Sequence, residues 1–294
     1  MMRSEIDVLT PQTLDEALNI LQQRQAGLRI VAGGSDVVVQ LRDGAMKAER
    51  LLNILSLKEL RYIREKDDQL HIGSLTTYSD ITNSQLMREH AWVLVSAAKQ
   101  IGAVQLQNTA TLGGNLGNAS PAGDSLPPLY ALDAYVVTRS KAGRRETPIE
   151  QFFVSYRKTA LRPDELIEEV HFKPMNSNDR GAYLKLGLRE ANAISIVDVA
   201  AVLRGRGAND SFTEARVALG AVTPVITRAR KSEKALEHKP LNEETLREAA
   251  TFAAEDAAPI DDIRGSAEYR KNVVVSLVYQ ALYEALHGRR KASG

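Results

Sequence analysis

Two adjacent-glycine pairs, Gly33-Gly34 and Gly113-Gly114, restrict what this chain can fold into more than any other feature of its sequence. Such a pair lets the backbone reach φ > 0 and presents successive N–H groups without side-chain obstruction, the geometry that cradles an anion with no basic side chain. The first pair, in Ala32-Gly33-Gly34-Ser35-Asp36, follows the apolar run Leu28-Arg29-Ile30-Val31, so a strand delivers it. The second opens the stretch Thr111-Leu-Gly-Gly-Asn-Leu-Gly-Asn-Ala-Ser-Pro-Ala-Gly-Asp124. Taken alone, either pair reads as a tight turn. Two of them, each ending in short polar side chains, point to two phosphate-cradling loops. Neither has the Gly-x-Gly-x-x-Gly of a doubly wound dinucleotide site or the Gly-Lys-Ser/Thr of a P-loop, so the phosphate reader belongs to another fold.

Around these loops the pattern alternates. Thr13-Leu14-Asp15-Glu16 reads as a capping box, with Leu14, Ala17, Leu18 and Leu21 at helical spacing behind it. A strand over 29–32, the glycine turn, a short apolar run over 37–41 and a strand over 51–55 complete a small α/β subdomain ending near residue 56. Segments 60–64 and 70–74 flank Glu65-Lys66-Asp67-Asp68, which predicts a hairpin with an acidic turn. Helices are expected over 77–86, 92–101 and 127–132, with Trp92 in the core, and a strand over 134–138 turning at Lys141-Ala-Gly-Arg144. A strand over 166–172 leaves this second subdomain, and the Asn/Ser/Asp-rich segment 174–181 is the best linker. Strands over 182–188, 194–203 and 215–219 then form a three-stranded antiparallel sheet, with Gly205-Arg-Gly-Ala-Asn-Asp210 as a polar connection. Helices follow over 246–254 and 267–286, the latter turning Val274, Leu277, Val278, Ala281, Leu282 and Leu286 onto a sheet-packing face.

At 294 residues the chain is long enough for two domains. A net charge of +1 makes no electrostatic case for nucleic acid or an anionic membrane, and the tail Arg289-Arg290-Lys291 is read as a solvated terminus. The chain has no cysteine, which rules out disulfides, thiolate zinc sites and any iron–sulfur cluster held by this chain. His71, His90, His171, His238 and His287 show no metal-ligand spacing and are read as structural or exposed. With no apolar signal core and no membrane-length apolar run, a cytoplasmic protein is expected.

The two glycine loops closely resemble the signature loops of the FAD-binding medium subunit of molybdenum hydroxylases, the family of xanthine dehydrogenase and carbon monoxide dehydrogenase flavoproteins. The similarity runs from Thr13-Leu-Asp-Glu-Ala17 through Leu161-Arg-Pro-Asp-Glu-Leu-Ile167 and Tyr183-Leu-Lys185 to Ser266-Ala-Glu-Tyr-Arg270. It implies an α+β architecture: a two-subdomain FAD-binding fold of the vanillyl-alcohol oxidase type (1–175, subdomains 1–56 and 57–175), then a small α+β carbon monoxide dehydrogenase flavoprotein-like domain (176–294).

Carried over motif by motif, the resemblance places Ile30, Val31, Ala32, Gly33, Gly34, Ser35, Asp36 and Val37 in one FAD loop. Ala110, Thr111, Leu112, Gly113, Gly114 and Asn115 form the other. Both loops would donate backbone N–H groups to the diphosphate, with hydroxyls of Ser35 and Thr111 as further donors. Asp124 matches an aspartate that accepts from cofactor hydroxyls, Ile101 and Ile167 match apolar positions flanking the flavin, and Lys185 matches a lysine whose charge favours the reduced cofactor. No catalytic side chain and no metal site is assigned, because in a redox flavoprotein the isoalloxazine carries the chemistry. The resemblance further implies an electron-transfer subunit beside a molybdopterin-binding large subunit and an iron–sulfur small subunit, as a dimer of heterotrimers. The cysteine-free composition separates the chain from the hydroxybenzoyl-CoA reductase branch. Alternatives are a stand-alone flavin oxidase and a flavin-free scaffold or assembly subunit.

Overall fold

The computed structural model describes residues 6–207 and 211–287. The basic tail and the 208–210 part of the polar connection lie outside the described residues. The first subdomain comprises β1 (Asp7–Leu9), α1 (Leu14–Gln22), β2 (Leu28–Val31), α2 (Val37–Arg42) and β3 (Arg50–Asn53), its strands forming a parallel sheet in the order β1-β3-β2. Helix α1 starts where Thr13 Oγ1 accepts from the Glu16 amide at 3.2 Å. The Glu16 carboxylate takes the amide of Gln12 at 2.7 Å, so the reciprocal arm of the capping box falls one residue early. Ala17, Leu18 and Leu21 are buried with Leu52 and Ile54 of the sheet side. Residues 37–41, read only as an apolar run, are helical; their three consecutive β-branched valines disfavour helix locally, and Val38 and Val39 stay exposed.

The second subdomain opens with the hairpin β4 (Ile63–Lys66) and β5 (Gln69–Gly73), where Asp67 and Asp68 take φ of 50° and 58° at the tight turn. Helices α3 (Tyr78–Asn83) and α4 (Gln85–His90) replace the single expected helix. Ser84 divides them, ending one helix in extended conformation while its side chain caps the next. Then come α5 (Trp92–Ala98), α6 (Val104–Thr109), α7 (Leu112–Asn118), α8 (Leu126–Ala131), β6 (Tyr135–Ser140), β7 (Gly143–Pro148), α9 (Ile149–Phe152), β8 (Phe153–Ser155), β9 (Lys158–Thr159) and β10 (Leu166–Phe172). The main sheet is antiparallel in the order β4-β5-β10-β6-β7. Strand β10 is therefore its centre, not an exit from the subdomain: its residues 166–172 are nearly all buried. Of the histidines, His71 and His171 pair in register across β5 and β10 with rings stacked at 5.2 Å.

The remainder folds as β11 (Arg180–Gly187), β12 (Ser195–Arg206), β13 (Phe212–Gly220), β14 (Thr227–Arg228), α10 (Arg230–Leu236), α11 (Glu243–Asp256) and α12 (Ala267–His287). The sheet has four strands, not three; β14 adds two residues to the edge of β13. Along β12, Val197, Val199, Ala201 and Leu203 join the core under α11 and α12, whereas Ala200 and Val202 join the core of the second subdomain with Leu94 and Leu129. A strand covered on both faces reads as a near-continuous apolar run, and 196–203 does apart from Asp198.

The linker is a clamped segment. Arg204 on β12 donates to the carbonyls of Lys173 (2.9 Å) and Pro174 (3.1 Å) and to Asp179 Oδ2 (3.1 Å), which also takes the Asn176 amide at 3.0 Å. Both side chains of the ion pair are buried, at 8% and 2% exposure. Removing one partner strands a buried charge, so Arg204→Met is expected to lower the unfolding free energy by about 3–5 kcal/mol. Urea unfolding followed by circular dichroism measures this; a loss below about 1 kcal/mol, as at an exposed pair, would show that the linker is held by other contacts.

Candidate functional site

The two glycine pairs meet at one cleft of ≈ 730 Å³, within the range of sites that enclose a cofactor-sized molecule. It lies between the first subdomain, which contributes Ile30, Ala32, Gly33–Val37 and Ile54, and the second, which contributes Ser74, Leu75, Tyr78, Ile101, Ala110, Thr111, Gly113–Asn115, Asn118 and Ile167. Gly33 makes the junction: a Cβ built on it would be driven into the Thr109 carbonyl, so the first turn can rest on the backbone before α7 only as glycine. Gly34 has φ of 75° and reverses the chain from β2 into α2. Among the described residues, the amides of Gly33, Gly34, Ser35, Asp36 and Val37 meet no intramolecular acceptor. A consecutive run of free N–H groups on a cleft wall is an anion-binding concavity.

The second glycine pair behaves otherwise. Gly113 and Gly114 lie in the first turn of α7 and neither has φ > 0. Their amides are occupied: Gly113 donates to the Ser74 carbonyl at 2.8 Å and Gly114 to Thr111 Oγ1 at 3.1 Å, while Leu112 donates to the Thr76 carbonyl and Asn115 to that of Thr111, each at 3.0 Å. Only the first loop therefore presents free amides to the cleft; those of the second are taken by the Ser74 and Thr76 carbonyls, the Thr111 cap and the first helical bond. Three glycines cost this short helix roughly 1 kcal/mol each relative to alanine. It forms because Thr111 caps it and Leu112 and Leu116, four apart, are buried on its inner face. Glycine at 113 is required by packing instead: a Cβ there would stand 2.5 Å from Ser74 Cβ.

Polar side chains lock the two turns together. Asn118 Nδ2 donates to Asp36 Oδ1 at 2.8 Å, and Gln40 Nε2 donates to Asn118 Oδ1 at 2.9 Å. Asn115 is fixed from behind, its Oδ1 accepting from Ser125 Oγ at 2.8 Å, with the buried Tyr78 hydroxyl 3.2 Å from Ser125. Gln40, Ser74, Tyr78 and Asn118 were missed from sequence. Only Asn118 carried a signal, lying three residues after Asn115 on one helical face.

Val31 and Leu112 do not line the cleft, the latter because it is core. Asp124 and Lys185 stand behind its wall, paired with each other at 2.6 Å with side chains 9% and 6% exposed. Asp124 Oδ1 also takes the Ser195 hydroxyl at 2.7 Å, and Lys185 Nζ donates to the Gln100 carbonyl at 3.3 Å, next to cleft residue Ile101. Burial pushes the Asp124 carboxyl up, opposed chiefly by the Lys185 charge. The Lys185 charge is thus compensated by Asp124, because an ammonium this deeply buried requires a counterion.

A cleft between two subdomains, lined by a free amide run and by apolar side chains and lacking a Walker or Rossmann turn, fits a carrier of a diphosphate-containing cofactor. The chain belongs to the family of FAD-binding subunits of molybdopterin dehydrogenases: residues 4–174 match the family model for the FAD binding domain in molybdopterin dehydrogenase. Residues 182–285 match the CO dehydrogenase flavoprotein C-terminal domain. The chain is 32% identical over 276 residues to the putative xanthine dehydrogenase FAD-binding subunit of Escherichia coli (strain K12), covering 93% of this chain and 94% of that protein. It is 32% identical over 274 residues to the nicotinate dehydrogenase FAD-subunit of Eubacterium barkeri, covering 92% of each. Its fold is similar to a chain of carbon monoxide dehydrogenase from Hydrogenophaga pseudoflava, with a TM-score of 0.92, 29% identity, and coverage of 97% and 99%. FAD is the cofactor of this oxidoreductase subunit, which removes the flavin-free scaffold alternative. The residues present fit that group, offering free amides for a diphosphate and apolar walls at Ile30, Ile101 and Ile167 for its rings.

The clearance around the glycines sets an order of sensitivity. Gly33→Ala meets a backbone carbonyl, Gly113→Ala meets Ser74, and Gly114→Ala meets only the Thr111 hydroxyl, at 2.9 Å. Flavin stoichiometry after gel filtration and the thermal midpoint should therefore fall most for Gly33→Ala, less for Gly113→Ala and least for Gly114→Ala. A Gly33→Ala protein with full FAD content would show that the two turns need not touch.

Proposed function

We propose that this chain is the electron-transfer subunit of a molybdopterin-dependent hydroxylase, taking electrons from iron–sulfur centres of a partner subunit and passing them to an external acceptor. The observation that carries the reading is the free amide run of Gly33–Val37 in the cleft. When bound, FAD supplies reversible electron acceptance; the chain supplies position and electrostatics. The amides of 33–37 take the diphosphate, with Ser35 and Thr111 adding hydroxyls and Asn115 its side-chain NH2. Ile101 and Ile167 cover the ring systems and keep water from them. Asp124 and Lys185 back the wall beside Ile101, each the other's counterion, and act on the cofactor through that wall. The absence of cysteine assigns thiolate-held clusters to another chain. The relatives' designations as dehydrogenase subunits support a molybdopterin-binding large subunit and an iron–sulfur small subunit, here proposed as a cytoplasmic dimer of heterotrimers with 1–175 as the FAD-binding part and 176–294 as the C-terminal part. Among the described residues no helix is long and apolar enough to cross a membrane.

The isolated chain is expected to hold yellow, dithionite-bleachable FAD that purines, N-heterocycles and aldehydes leave oxidised in anaerobic visible spectra. Bleaching by one of these without partners would reassign the chain as a stand-alone flavin oxidase.

A further inference from the structure

Behind the Asp124–Lys185 pair lies a second carboxyl that the cofactor site leaves unexplained. Asp198 on β12 is the register partner of Lys185 on one side and of Gly220 on the other, and it is fully buried. Its Oδ2 accepts from the Tyr183 hydroxyl at 3.1 Å; its Oδ1 has no partner. A Cβ on Gly220 would intrude on that oxygen, so β13 leaves room for the carboxyl but offers it nothing. The titratable groups facing Asp198 are Tyr183 and Lys185 from β11 and Asp124 from the α7–α8 loop; Gly220 on β13 and Pro127 on α8 present none.

The charges decide the protonation. Two carboxyls share one buried ammonium. Asp124 holds it at 2.6 Å and has the Ser195 hydroxyl on its other oxygen, so it is satisfied as an anion. Asp198 has one neutral donor and one bare oxygen, and ionising it beside Asp124 would bury a second charge without a counterion. We propose that Asp198 is a positioning residue held as a neutral carboxylic acid, which fixes the Tyr183 hydroxyl and leaves the single negative charge of this wall on Asp124. Burial and then the Asp124 charge push the Asp198 carboxyl well above the ordinary range, and burial likewise keeps Tyr183 protonated as a donor. Asp198 thereby acts as a proton reserve: if Asp124 loses its charge, Asp198 ionises to pair with Lys185. The positioning role rests on the proposed reading of Asp124 and Lys185 as backing the cofactor site; the protonation state does not.

Infrared spectroscopy of the full chain at neutral pH tests this. A carboxylic-acid carbonyl band that shifts in D2O is expected in the parent, absent in Asp198→Asn, moved to higher frequency in Tyr183→Phe, and lost in Asp124→Asn as the remaining carboxyl ionises. Asp198→Asn, an isosteric neutral group, should keep FAD affinity at the parent value, while Asp198→Ala, which removes the acceptor of Tyr183, should weaken it about tenfold. A parent without the band, or a band surviving in Asp198→Asn, overturns the neutral acid; the Tyr183→Phe shift assigns the band even if Asp198→Asn does not fold. FAD affinity unchanged in a folded Asp198→Ala overturns the positioning role, and unchanged affinity in Lys185→Met would instead remove the pair from the cofactor site.

Discussion

The backbone of Gly33 lies against the backbone of Thr109 and Ala110, with no room for a side chain between them. Most of the site follows from that contact. It sets the parallel three-stranded sheet beside α7, and it brings the unbonded amides of 33–37 to the opening where the subdomains meet. A backbone-to-backbone junction of this kind has no slack, since close-packed interiors cannot absorb even one methyl group without moving neighbours. The Asp36–Asn118–Gln40 chain of hydrogen bonds then fixes the orientation of one turn on the other.

The two glycine pairs, similar in sequence, do opposite work. At Gly34 glycine supplies a left-handed φ and frees amides from any helix. At Gly113 it permits close approach, and the nearby amides are taken by the Ser74 and Thr76 carbonyls, the Thr111 hydroxyl and the first helical bond. The phosphate-binding capacity of the cleft is therefore lopsided: the first turn provides the donors, and α7 provides the wall and the polar side chains Asn115 and Asn118. Electrostatics follow the same economy, because each charge behind the wall is met by one partner. The C-terminal sheet contributes Lys185 and Ser195 to this wall and is held there by its second buried face.

Much of the fold was legible because local rules and tertiary environment agreed. The Thr13 cap, the acidic hairpin turn at Asp67-Asp68, the strand 166–172 and the apolar stripe of α12 each carry a period or a cap that the folded chain uses. The misses have identifiable causes. Helix α2 contradicts its valines and buries none of its residues, being tied by Gln40 to Asn118; α7 contradicts its glycines and is set by the Thr111 cap and the burial of Leu112 and Leu116. β1 and β14 are three and two residues long, too short for a period to show. The central place of β10 depends on pairings with β5 and β6, which lie far away in sequence.

By itself the sequence determined one glycine turn suited to a phosphate at 33–34, the lack of any cysteine to hold a cluster, and the longer, periodic helices and strands, since these depend on residue type and spacing along one stretch of chain. Only the tertiary structure decided which amides remain free, that Asp124 and Lys185 neutralise each other, and that Asp198 is buried with one bare oxygen. Hydrogen bonds and ion pairs are satisfied by whichever partner lies closest in space: Ser74 for Gly113 and Asp124 for Lys185 come from elements that the sequence order does not bring together, and Tyr183 meets Asp198 only because the register of β11 on β12 places them on one face.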